Sequence, residues 1–379
     1  MKSKRLSNFE LMRIVSMLLI VIWHVIMHGK MFANTSSDVI KFILNLIQYI
    51  IIIHVNSFVL LSGYFQSKSK FRIGKFLDLI MEVLFYLTLI LIVGNFIGLP
   101  IYCTNFVRLY NYYLSCIDGY WFINCYLIVY IFSDYINKFI SSLNYKEYKK
   151  FLIIGFVIFS IVPFLCGGKI LNNIGYNFYS FIYLYILGAF LRIYPINECK
   201  KFKNISNICY FLILICIFFS CPLIRYFILF LVSNFKNINF VNDLYIKISY
   251  SSLSYFSPLV IVQSLCYFEF FRNLKFKSKF VNFISRYVFG VYLLHENVYI
   301  RGFIYKFLKI DVFYGTSFKH VLYCFVCAIM IFLFCIFVDI FRKAIFDFFK
   351  KHKQMFAKVL TLLKMYYIIN LYGERRRKI

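Results

Sequence analysis

Apolar residues run in long blocks along this chain, and the polar residues between them fall in short, lysine-rich clusters. A helix needs about 20 apolar residues to cross a ~30 Å hydrocarbon layer. Stretches of that kind lie near residues 9–29, 39–64, 76–98, 120–137, 151–166, 177–194, 208–232, 245–271, 284–305 and 320–341. The pattern predicts an all-α integral membrane protein with about ten transmembrane helices. The fifth stretch ends at Pro163 and has the least secure boundary. The longest segment between spans on the outer side, roughly 99–119, leaves no room for a globular outer domain, so any chemistry is expected among the helices or at their rims.

Composition strengthens this reading. The 379 residues are 62% hydrophobic and 15% charged, with a mean hydropathy of +0.76. Soluble domains hold ~45–50% apolar residues. The basic residues give a second, independent signal, because Lys and Arg collect in cytoplasmic loops. Of the 43, the amino terminus, alternate loops and the tail from Arg342 hold 31; the intervening loops hold 11, and Arg13 is the last. Both termini are therefore expected on the cytoplasmic side, which requires an even number of spans. The net charge of +28 is spread over short loops rather than one folded face. It suits anionic lipid headgroups and not nucleic acid.

The chain divides into a membrane domain, 1–341, and a basic tail, 342–379. The tail alternates Lys with Phe, Leu, Met and Tyr and reads as an amphipathic cytoplasmic helix lying on the inner leaflet. The basic-then-apolar amino terminus reads as a retained span, since no small-residue cleavage site follows Trp23 and His24. The twelve cysteines are scattered singly, apart from Cys324 and Cys327, and read as small buried hydrophobes. No metal site, nucleotide-binding glycine pattern or internal repeat is expected.

Ionisable residues inside spans carry the functional signal, because each costs at least ~2.5 kcal/mol there on insertion scales. The first span holds Glu10, Arg13 and His24. A shift of eleven residues returns to within ~20° of one helical face and ~16 Å further along it. A neutral imidazole in a dry site suits a general base, and a guanidinium at the inner end suits phosphate. The ~16 Å rise is about the length of an extended pantetheine arm, so one helix can hold a coenzyme A phosphate at one end and a thioester at the other. Glu10, at i, i+3 from Arg13, is placed to orient that arginine. The second span ends Ser62-Gly63-Tyr64-Phe65, followed by Lys68, Lys70, Arg72 and Lys75. Trp121-Phe122 opens the fourth span, and Tyr292-Leu-Leu-His295-Glu296 sits in the ninth. On a continuous helix His295 and Glu296 point ~100° apart and make no pair by themselves. His28 is expected at the outer interface, and His320 and His352 on surfaces.

In this order the residues resemble the acyltransferase 3 family of bacterial membrane proteins, over about residues 9–341. Arg13 and His24 with ten residues between them, Glu10 just before, Ser62-Gly63-Tyr64-Phe65, Trp121-Phe122 and Tyr292-Leu-Leu-His295 are similar to the family's motifs. The resemblance implies a cell-membrane enzyme that moves an acyl group, acetyl first among them, from cytosolic acyl-CoA to a hydroxyl of a surface glycan or its lipid-linked precursor. It implies His24 as catalytic base and Arg13, with Arg72, Lys75 and Lys70, as the acyl-CoA site; Glu10 is counted with the catalytic residues and is expected to orient Arg13 rather than His24. Ser62, Trp121, His295 and Glu296 would line the substrate. The family often has Arg-x-x-Arg where this chain reads Arg72-Ile-Gly-Lys75, so the charge is kept and the second planar fork is lost. Some relatives carry an extra outer hydrolase-like domain, and transfer here is expected wholly within the helices. A flippase or polymerase of lipid-linked oligosaccharides, or a sensor without catalysis, would share the hydropathy but not these motifs. Acceptor identity, acyl length and oligomeric state are not set by the sequence.

Overall fold

The computed structural model describes residues 5–99, 101, 105–167, 175–195, 207–234, 242–243, 245–247 and 253–376, with side chains as far as His352. Among these residues every regular element is helical. The first half holds α1 (Ser7–His28), α2 (Asp38–Ile51), α3 (His54–Gln66), α4 (Ile73–Phe96), α5 (Phe106–Gly119) and α6 (Trp121–Ser142). Then α7 (Tyr145–Phe156) passes through a π turn, Val157–Ile161, into α8 (Val162–Leu165). The second half holds α9 (Phe178–Ile193), α10 (Asn207–Asn234), α11 (Pro258–Asn273), α12 (Lys279–Ile284), α13 (Val288–His295), α14 (Arg301–Phe307) and α15 (Phe318–Arg376).

Six helical stretches, two of them joining α2 with α3 and α7 with α8, are long and apolar enough to cross a membrane among the described residues, or seven if α5 and α6, bent by 78°, form one span. The protein is thus a multi-pass membrane protein, but not ten uninterrupted spans among the described residues. The difference lies in the interior. The stretch expected at 284–305 is broken into α12, α13 and α14, and the loop expected at 99–119 contains α5. The stretch at 245–271 falls partly outside the described residues; its later part is α11. Broken backbone at membrane depth is tolerated where protein surrounds it, and seven of the eight α13 residues are buried. By contrast α4 and α10 turn apolar side chains outward, among them Leu77, Met81, Phe96, Leu212, Leu223 and Phe227. Such helices face lipid.

Local chemistry explains two of the breaks. Between α2 and α3 there is neither Pro nor Gly; instead His54 Nδ1 takes the Val55 amide hydrogen at 2.7 Å, and Ser57 Oγ donates to the Ile53 carbonyl at 2.8 Å. At the end of α13 the Asn297 side chain accepts from the Tyr299 amide at 3.0 Å, a turn that competes with helix continuation. Tyr120, at the α5–α6 bend, donates to the Leu293 carbonyl at 2.5 Å and accepts from Asn297 at 3.0 Å. The bend and the break therefore hold each other.

The core sits where α3 lies against α9. A Cβ on Gly63 would stand 1.9 Å from the Tyr185 carbonyl oxygen, and one on Gly188 would stand 2.2 Å from that of Leu60. Only glycines permit this approach, as in other close-packed membrane helices. At one end of the bundle meet the start of α1, the end of α3 and the end of α11: Phe9 packs on Tyr64 at 5.0 Å, and Asn8 donates to the Phe271 carbonyl at 3.0 Å. The helix α15 begins at the other end, where His320 Nε2 meets the Met31 carbonyl at 2.9 Å. It then continues without a break through residue 342. Arg342 is buried and paired with Glu82 and Asp339, so it belongs to the bundle rather than to a detached tail. Farther on, Lys350 reaches Asp78 at 2.8 Å.

Gly63→Ala should lower the thermal midpoint of the detergent-solubilised protein, with a cost on the ~1–3 kcal/mol scale of overpacking. Gly74→Ala, where the added carbon meets nothing within 4 Å, should be neutral or stabilising. Equal midpoints for the two variants would contradict the packing assigned to α3 and α9.

Candidate active site

A cavity of about 590 Å³ runs along α1. Arg13 and His24 both line it, Arg13 toward the end where α1 begins and His24 toward the end where it stops. Eleven residues of helix separate them, ~16 Å along one face. Met17, Ile20 and Trp23 give the intervening wall its apolar lining.

At the far end, His24 meets the break after α13. Its Nδ1 is 2.9 Å from His295 Nε2 and 3.0 Å from Glu296 Oε2. The second contact has ion-pair length but is not aligned as a hydrogen bond, since Oε2 has no hydrogen-bond partner among the described residues. His295 Nδ1 lies 2.5 Å from the Val291 carbonyl, which can only accept, so the neutral His295 ring keeps its lone pair on Nε2. Both neighbours of His24 Nδ1 are therefore acceptors, and Nδ1 carries the proton. That leaves the lone pair of His24 on Nε2, which has no hydrogen-bond partner among the described residues. Arg301 donates to Glu296 Oε1 at 2.8 Å and approaches His28 Nε2 at 3.3 Å. The geometry makes His24 Nε2 a proton acceptor beside the cavity, with a buried carboxylate 3.0 Å behind its Nδ1.

His295 ends α13 and Glu296 is its C-cap, with its amide still bonded to the Tyr292 carbonyl at 3.2 Å, so the two side chains leave the backbone in different directions and converge on His24 through their length. His28 is half-exposed and reaches Glu296 Oε1 at 3.8 Å, so it joins the cluster rather than being merely solvated. Donor atoms of His24, His295 and Glu296 lie within 4.8 Å of one another, a grouping of ligand types that suits a divalent ion. Two features disfavour that use. Arg301 already supplies a cation to Glu296, and the 2.9 Å between the imidazole nitrogens is shorter than the spacing of two nitrogen ligands, which at tetrahedral zinc is ~3.3 Å.

At the near end, Glu10 is buried and holds Arg13 at 2.9 Å and Arg5 at 3.4 Å. Fourteen residues of helix, ~21 Å, separate Glu10 from His24, so the acidic partner of the base is Glu296 instead. Arg5 also donates to Ser285 Oγ at 3.1 Å, and Arg5, Arg13 and Arg286 all line the cavity mouth. Arg72 and Lys75 are exposed and do not line it; Lys70 lines a separate hollow with Lys68, Asp134 and Lys138. The sequence motif does not foretell this exchange of cations, because Arg5 and Arg286 come from a terminus and an interhelical turn.

Ser62 lines the cavity and donates to the Phe58 carbonyl at 2.9 Å, which ties up its proton. Trp121, at the start of α6, stacks on Tyr255 at 5.9 Å and 24° and touches Tyr176 at 4.4 Å, giving the cavity an aromatic wall. His54 and Arg301, polar residues in the second apolar stretch and after the ninth-stretch motif, join the site, as do Tyr176 and Tyr255, which nothing in the sequence singles out. His320 is fully buried rather than on a surface, because its Nε2 is committed to Met31, whereas His352 is exposed. Seven of the ten described cysteines are buried, while Cys209 and Cys216 face outward on α10.

One cavity thus joins a partly buried imidazole, with its Nε2 lone pair unused among the described residues, to a cluster of three arginines inside a bundle of apolar helices. The chain matches the acyltransferase domain model over residues 6–371, and it belongs to the acyltransferase 3 family. It is therefore a membrane acyltransferase. No curated protein and no solved structure matches it.

The hydrogen-bond directions can be read by solid-state NMR of protein labelled with nitrogen-15 histidine. His24 should be protonated on Nδ1 and bare on Nε2, and His54 the reverse. Finding His24 protonated on Nε2 in the resting neutral ring would contradict the arrangement around His295.

Proposed function

We propose that the protein transfers an acyl group, acetyl first among candidates, from cytosolic acyl-CoA to a hydroxyl of a cell-surface glycan or its lipid-linked precursor. The observation that carries this reading is the single cavity lined by Arg13 at one end and His24 at the other. Phosphates of the donor meet Arg5, Arg13 and Arg286 at the mouth, with Glu10 holding the first two in place. The exposed Arg72, Lys75 and Lys70 raise the local positive potential and guide the donor inward. The pantetheine arm extends along the apolar wall of α1 and presents the thioester near His24.

The acceptor hydroxyl gives its proton to His24 Nε2 as its oxygen bonds to the thioester carbon. The carbonyl electron pair moves to oxygen; collapse of that intermediate breaks the carbon–sulfur bond. The thiolate takes the proton from His24, so no charge is left behind. While His24 is an imidazolium, the Glu296 carboxylate 3.0 Å from its Nδ1 and the His295 lone pair stabilise it. The aromatic wall of Trp121, Tyr176 and Tyr255 offers flat apolar faces to the C–H side of a sugar ring. Each of these steps uses protein side chains alone.

His24→Ala should cut label transfer from acetyl-CoA to total cell glycan by about 100- to 10,000-fold at matched expression. Arg13→Ala should instead raise the KM for acetyl-CoA by about 10- to 100-fold, the scale of one lost charge-assisted hydrogen bond of ~1.5–3 kcal/mol, and be rescued by excess donor. Full label in both variants would sink the reading. EDTA should leave transfer unchanged; loss restored by a divalent ion would assign His24, His295 and Glu296 to a metal instead.

A further inference from the structure

A developing oxyanion needs hydrogen-bond donors placed where its charge appears. His54 offers one beside the cavity. It is the first residue of α3 and only 1% exposed. The amide of Val55, in the first turn, has no carbonyl partner inside its own helix. His54 Nδ1 accepts it at 2.7 Å. An imidazole nitrogen that accepts carries no proton, so the neutral ring bears its hydrogen on Nε2. That buried N–H has no hydrogen-bond partner among the described residues. Leaving a donor buried and unsatisfied costs about 1–3 kcal/mol, and such groups are rare in folded proteins.

The ring lines the same cavity as His24. Trp23, next to His24 on α1, meets it edge-on at 5.6 Å and 88°, and Tyr255 packs on it at 5.6 Å. These contacts and the bond to Val55 hold the ring in place. Capping Val55 requires only the acceptor at the Nδ1 position, which an asparagine would provide. Nothing in the fold itself uses the opposite N–H.

We infer that His54 Nε2–H donates to the carbonyl oxygen of the bound thioester and stabilises the oxyanion formed when the acceptor hydroxyl adds to the carbon. The inference rests on the acyl-transfer reading above. His54 stays neutral and keeps its proton throughout; it holds the oxygen while the carbon–oxygen bond forms and until the carbon–sulfur bond breaks.

Three substitutions separate this role from the capping role. H54N keeps an acceptor for the Val55 amide and removes the donor at the Nε2 position. H54Q carries an amide N–H out to that position and caps poorly. H54F keeps the ring shape and does neither. Each is purified in detergent and assayed with radiolabelled acetyl-CoA and a polysaccharide extract of the host cells, alongside thermal unfolding.

In H54N and H54F turnover should fall about 100- to 1,000-fold, with the KM for acetyl-CoA within about threefold of wild type. H54Q should recover at least about tenfold over H54N even though H54N unfolds closer to wild type. Turnover in H54N within about threefold of wild type, a change confined to KM, or H54Q no better than H54N overturns the inference. If the wild type itself transfers no label, the acyl-transfer reading fails and takes the inference with it; activity in wild type and H54N alike overturns the inference alone.

Discussion

The contact between His24 on α1 and the broken end of α13 is the constraint on which the site depends. A histidine alone on an apolar span would be left with unsatisfied nitrogens in a medium that cannot solvate them. Here one nitrogen is committed to His295 and faces Glu296, and Arg301 balances the carboxylate. The helix that carries His295 and Glu296 ends there, and Arg301 comes from the start of the next one. Stopping a helix inside a bundle leaves backbone groups to be satisfied, and Asn297 with Tyr120 meets that need. The break is buried by α15 and α4 around it: Gly290 abuts Asp339, which Tyr86 and Arg342 bond.

Two kinds of surface result. Long, outward-apolar helices such as α4 and α10 face lipid and carry little chemistry. Short or broken helices inside them carry nearly all the buried polar groups near His24. The same division separates the tasks along α1. Its beginning is held by Glu10 with two arginines, and its end meets a histidine pair and a carboxylate. The helix between them fixes the distance from the arginine cluster to His24, which a flexible loop would not do. The glycines that let α3 approach α9 set where Ser62 and His54 stand relative to that line.

Much of this was legible in the residues. Hydropathy and basic-residue alternation gave a multi-pass helical membrane protein, and the motif order gave the acyltransferase 3 family, because both follow from composition and spacing along a single helix. Arg13 and His24 share one cavity for the same reason: eleven residues nearly close three helical turns. Glu10 beside Arg13 is likewise a local i, i+3 relation.

What spacing does not contain is where helices stop and which ones meet. About ten transmembrane helices were expected, and apolar residues that are buried by protein and those that face lipid look alike in a hydropathy count, so the short, buried helix α13 was invisible. The Glu296 carboxylate beside His24 Nδ1 was invisible with it. Arg5 and Arg286 replace Arg72 and Lys75 at the cavity mouth because chain ends and turns are placed by packing, not by periodicity. The unpaired His54 N–H depends on a bond to Val55 at a break with no Gly or Pro to mark it. The sequence by itself determined the solvent, the class of fold and the positions on one helix; the tertiary structure decided which buried polar groups share a partner, since that choice is made between helices far apart in the chain.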